Sequence, residues 1–127
     1  MTAVAASSKL RQEQLANVQK EATSMLILAT LTHSEDNCPG FNHEIMPDVI
    51  KGLEGREQLA RKHGVKLHGL WSGAPDHVFF VLVEADSSLA IDLFLTEAAP
   101  FKQACKLTPV ITAEELVKLG KEMMARG

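Results

Sequence analysis

The residues Thr32-His33-Ser34-Glu35-Asp36-Asn37-Cys38-Pro39 follow directly on the apolar run Met25-Leu26-Ile27-Leu28-Ala29-Thr30-Leu31. A strand thus ends in a histidine, and a short acidic loop carries a cysteine up to the next helix. His43 completes the spacing H-x4-C-x4-H, and His77 stands further along, after Pro75-Asp76. Imidazoles and a thiolate suit zinc, iron or copper, with Glu35, Asp36 or Glu44 as oxygen ligands. The spacing matches no standard structural zinc pattern.

Two other chemistries fit the same residues. Cys38, close to a helix N-terminus, is a candidate nucleophile with His33 or His77 as its base. The acidic neighbours disfavour a free thiolate and favour a bound cation, so metal ranks above nucleophile. His33 or His77 could also perform acid–base work on a small organic ligand lined by His68, Leu70, Trp71, Phe79 and Phe80. Purely structural roles compete with all three. His33 then caps a helix or bonds a carbonyl, Cys38 fills a small apolar gap, and His77 is a turn residue beside Asp76. His43 by itself reads as an ordinary surface residue.

Composition narrows the field. A chain of 127 residues with net charge −3 and no block of like charges is one domain without an electrostatic footprint for nucleic acid. The longest apolar runs, 25–31 and 78–83, are too short to span a bilayer. The first 24 residues hold Lys9, Arg11, Glu13, Lys20 and Glu21 without an apolar stretch, unlike a secretory signal. Two cysteines, Cys38 and Cys105, are therefore expected as free thiols in a cytoplasmic protein.

The elements that must position these residues alternate along the chain. Residues 1–24 read as an N-terminal extension, helical or disordered, in which Leu15, Val18 and Ala22 make a thin stripe. Residues 25–127 form the domain. A strand at 25–32 is followed by a helical region from Glu44 to His63, with Ile45, Val49, Ile50, Leu53, Leu59 and Ala60 on its buried side. Gly52 and Gly55 weaken its middle, and Gly64 ends it. Strands at 65–72 and 77–85 flank the turn Gly73-Ala74-Pro75-Asp76. Asp86-Ser87-Ser88 offers caps for a helix burying Leu89, Ile91, Leu93 and Phe94, which Pro100 closes. A strand at 103–110 precedes a last helix, for which Thr112 and Glu115 spell a capping box; Leu116, Leu119 and Met123 give its apolar stripe.

The order β-α-β-β-α-β plus a terminal helix predicts an α+β, ferredoxin-like fold with sheet order 4-1-3-2 and both main helices on one face. A sheet with one wet face should alternate apolar and polar residues. The first strand and Val78-Phe79-Phe80-Val81-Leu82-Val83 do not. Burying the large side chains of the open face stabilises by roughly 1.5–3 kcal/mol each. The N-terminal or C-terminal segment could cover that face within one chain; the more economical cover is a second copy of the chain, sheet against sheet, related by a two-fold axis.

The pieces T-H-S-x-x-x-C-P (32–39), G-V-K-L-H-G (64–69), P-D-H (75–77), V-E-A-D (83–86) and T-P-V (108–110) occur in this order. On them, Met25 to about Thr112 resembles the dimeric α+β-barrel superfamily, and within it a small group of uncharacterised bacterial and archaeal members. The resemblance implies two ferredoxin-like subunits closing their sheets into one barrel. It implies no single activity, since the superfamily includes small monooxygenases, isomerases, haem and iron proteins, and non-catalytic stress-response domains.

In that topology the end of the first strand lies beside the starts of the third and fourth. His33, Cys38, His43, His77 and Cys105 then converge on one rim. The expected function is a homodimer binding a transition metal or small ligand through His33, Cys38, His77 and His43, with catalytic use left open. The alternatives are a non-catalytic stress-response or assembly domain, and a cofactor-free monooxygenase or isomerase acting in the barrel.

Overall fold

The computed structural model describes residues 24–127. The stretch Lys9–Ala22, expected as an apolar-striped extension, lies outside them. Strand β1 (Met25–Thr32) leads through a short 3-10 turn (Glu35–Asn37) to helices α1 (Met46–Glu54) and α2 (Arg56–Lys62). Strands β2 (Lys66–Gly73) and β3 (Val78–Ala85) flank a second 3-10 turn (Ala74–Asp76). Helix α3 (Ser88–Ala98), strand β4 (Ala104–Pro109) and helix α4 (Ala113–Arg126) complete the α+β chain.

The four strands form one antiparallel sheet in the order β2-β3-β1-β4, the order 4-1-3-2 expected from the sequence. Register divides its two faces. Ile27, Ala29 and Leu31 lie opposite Val83, Val81 and Phe79, and Leu107 pairs with Ala29. These residues share a buried cluster with Ala60 of α2 and with Ile91, Phe94, Leu95 and Ala98 of α3, so the helices cover this face. The opposite face carries Leu26, Leu28, Trp71, Phe80 and Leu82. Trp71 there keeps 54% of its surface exposed.

Two expectations about the helices are corrected. The single helix over 44–63 is two, because Gly55 turns the chain with φ −90° and ψ 8° between α1 and α2. Gly52 belongs to a different constraint. A Cβ there would lie 2.8 Å from the carbonyl carbon of Ala98, so its absence lets α1 meet the C-terminal end of α3. In α3 the buried stripe is Ile91, Phe94, Leu95 and Ala98, the i, i+3, i+4, i+7 pattern. Leu89 and Leu93 point outward.

The capping signals hold. Ser87 accepts a hydrogen bond from the Ala90 N–H at 3.2 Å. Thr112 and Glu115 form a reciprocal capping box, with both bonds at 3.1 Å. Gly64 takes a left-handed φ of 69° after α2, the conformation that makes glycine the usual residue just past a helix end.

Candidate functional site

His33 is the first residue beyond β1. Its N–H donates to the carbonyl of His77 at 3.2 Å, extending the β1–β3 ladder by one bond and fixing the two histidines side by side. His77 has φ 53° and ψ 47°, and it is the one non-glycine residue with positive φ among the described residues. That conformation costs an L-residue roughly 1–2 kcal/mol. Strain of this sort persists where the surroundings impose it, often at functional sites. Cys38 sits at the centre of a tight loop: its N–H donates to Glu35 O at 3.2 Å, and its carbonyl accepts from Phe41 N at 3.0 Å and Asn42 N at 2.8 Å.

The result is a compact group. One nitrogen from each of His33 and His77 and the Sγ of Cys38 all lie within 4.8 Å of one another, and all three residues are half-buried. Phenylalanines wall it. The His33 ring packs edge-on to Phe101 at 5.2 Å and to His77 at 5.3 Å, with Phe79 at 5.9 Å; Phe41 lies 6.1 Å from His77. Inside this wall Nδ1 and Nε2 of His33 and Nδ1 of His77 are buried without a hydrogen-bond partner. Burial, and then the nearby His77, hold the His33 imidazole below its ordinary pKa and so favour the neutral form, the one that ligates metals.

Of the five residues expected on the rim, the fold brings together His33, Cys38 and His77. His43 is exposed on the loop before α1 and stands outside the group. Cys105 pairs with Leu31 on the helix side of β4. It lines a separate cleft of about 450 Å³ with Asp92, Phe101 and Gln103. Desolvation in that cleft, with Asp92, pushes its thiol pKa up although part of the residue is exposed. Both cysteines are free.

The expected ligand lining is also divided. Phe79 faces the helices and touches His33, whereas Trp71 and Phe80 lie on the opposite face. His68 sits at a bulge between Leu67 and Gly69, where it pairs with Glu84 at 3.2 Å. Sequence reasoning passed over Phe41 and Phe101. Phe101 follows Pro100 into the start of β4, which the strand order places beside the end of β1; that adjacency was the available signal.

Residues 41–124 match a domain of unknown function, DUF3303, and the chain belongs to that family. The matched span includes His77 and begins after His33 and Cys38. No curated protein and no solved structure matches the chain. Among the described residues no helix is long and apolar enough to cross a membrane.

Proposed function

We propose that this chain is a small homodimeric metalloprotein, two ferredoxin-like subunits paired as a dimeric α+β barrel, with a transition-metal ion held by His33, Cys38 and His77. The observation that carries the metal reading is the set of three ligand atoms within 4.8 Å, two of whose residues hold buried ring nitrogens without partners. Buried polar atoms are normally satisfied, and leaving one unpaired costs about 1–3 kcal/mol. A bound cation would satisfy one nitrogen on each of the two histidines at once.

The donors fit the ion. Zinc–nitrogen and zinc–sulfur bonds of about 2.0–2.3 Å set donor separations of roughly 3.3–3.8 Å around a tetrahedral centre. The three donor atoms, within 4.8 Å of one another, would have to draw closer to reach those separations. Two imidazoles and a thiolate suit zinc, iron or copper, and three protein donors leave one position for water or a small ligand. The exposed carboxylates of Glu35 and Asp36, in the adjoining turn, add attraction for a cation.

The pairing of two copies is supported by the open sheet face, where no helix among the described residues covers Leu26, Leu28, Trp71, Phe80 and Leu82. Elemental analysis of protein purified without chelator tests the metal. One transition-metal ion per chain, lost in both His33→Ala and Cys38→Ala with the fold retained, is the expected result. Metal-free protein that also takes up no added zinc, iron or copper would overturn it and leave a non-catalytic assembly domain as the better reading.

A further inference from the structure

Nothing among the described residues requires Gly120 to be glycine. It occupies the interior of α4, where glycine is a poor helix former. A Cβ added there would meet nothing within 4 Å, in contrast to Gly52, whose missing Cβ admits the backbone of α3. The residues one turn to either side of it are Leu116, Val117, Met123 and Met124, exposed by 59%, 57%, 63% and 84%. Gly120 is therefore the floor of a notch at the centre of an apolar patch. The helix bearing it is firmly specified by its capping box, yet it makes no extended contact with any other described element.

An isolated helix of this length is marginal in water, so its formation depends on a surface to pack against. Its charges are balanced, Glu114, Glu115 and Glu122 against Lys118, Lys121 and Arg126. A neutral apolar face with such flanks suits another protein surface better than an anionic lipid or nucleic acid. The family match spans both the sheet strands β2 to β4 and the helix to residue 124, so the complementary surface should travel with the domain.

The open sheet face offers a large exposed aromatic surface. Trp71 lies flat over Gly69, with Cζ2 2.6 Å from where a Cβ would stand, and is paired in register with Phe80. Within one chain the notch and this indole are badly placed for each other. Trp71 is on β2, at the opposite edge of the sheet from β4. Val110 N–H donates to Leu26 O at 3.0 Å and Thr112 is extended, so the chain runs past the sheet before α4 begins. A two-fold axis between facing sheets can set the β4 edge of one copy beside the β2 edge of the other.

We propose that α4 packs across the open sheet face of a second copy of this chain, with the partner's Trp71 seated in the notch over Gly120. The inference rests on the pairing of copies proposed above and is independent of the metal. Trp71 is the sole tryptophan, so its fluorescence reports the contact directly. Sedimentation and emission are followed together over a dilution series of the full chain. The wild type is expected to be a dimer with blue-shifted emission that moves red as it dissociates.

Gly120→Leu should raise the dissociation midpoint concentration at least tenfold with helical circular dichroism unchanged. Gly120→Ala should shift it in the same direction, although alanine favours the helix itself; a merely structural glycine would shift it the other way. A wild-type dimer whose midpoint ignores Gly120→Leu, or whose Trp71 emission stays red, overturns the helix placement and leaves the dimer standing. A wild type that is monomeric throughout overturns both.

Discussion

Four of the histidines make two contrasting pairs. His63 and His68 each meet a carboxylate through Nε2, Glu97 at 2.9 Å and Glu84 at 3.2 Å. His33 and His77 meet each other, a cysteine and three phenylalanines, and keep three buried ring nitrogens unpaired. The first pair ties a helix end and a strand bulge into the fold. The second pair is held in place by backbone bonds and strain while its own bonding capacity stays unused. Buried polar groups are normally satisfied, so the second pair is the exception on which the metal proposal rests.

The sharpest way to break this contrast is metal affinity. His33→Ala, Cys38→Ala and His77→Ala should each weaken zinc or cobalt binding by more than roughly 100-fold, since loss of even an outer-shell partner costs 10–100-fold. His63→Ala and His68→Ala should leave it unchanged in the same calorimetric titration. Equal effects at all five positions would erase the distinction.

A second test uses stability of the metal-free protein. His33→Phe replaces an unpaired imidazole with a ring of similar shape among Phe79 and Phe101. It should raise the unfolding free energy in urea by about 1–2 kcal/mol, because the unsatisfied nitrogens are gone. His63→Ala should lower stability. A destabilised His33→Phe would mean that the ring nitrogens already have partners.

The pH dependence should separate the two regions as well. The His33 pKa lies below its ordinary value of 6.5 in the folded state, chiefly through burial. The unfolded chain therefore takes up that proton first, and metal-free stability should fall as pH drops below about 6.5, until the folded pKa is passed. Glu84 is held below its ordinary 4.5, first by the Ser24 hydroxyl at 3.0 Å and then by His68. Its contribution is present above that value and is lost only in more acid solution. In His33→Phe the loss near neutrality should vanish while the acid limb remains. The smallest effect is expected for His68→Ala, at about 0.5 kcal/mol or less, since both partners of that pair are about a third exposed.

Much of the scaffold was legible beforehand. The strands, their order and the caps at Ser87 and Thr112 follow from local signals, namely alternation, turn residues and side-chain oxygens at the right offset. The faces of the helices were less legible. Leu89 and Leu93 were expected inside and lie outside, because a helix apolar on several sides does not declare which stripe meets the sheet. The two glycines of the first helical region look alike in the sequence, yet Gly55 breaks the helix and Gly52 admits a neighbour. That difference depends on Ala98, far away in the chain.

The same division holds at the site. His33, Cys38 and His77 were chosen by residue type and by an adjacency that strand order imposes, and the fold gathers them. His43 and Cys105 satisfied the same criteria and are not in the group, because a loop's path and a strand's parity are set by distant packing. Sequence alone determined the elements and the strand order, through patterns repeated over a few residues. Tertiary structure alone decided which imidazoles would be buried without partners, because a missing hydrogen bond depends on everything that packs around the atom.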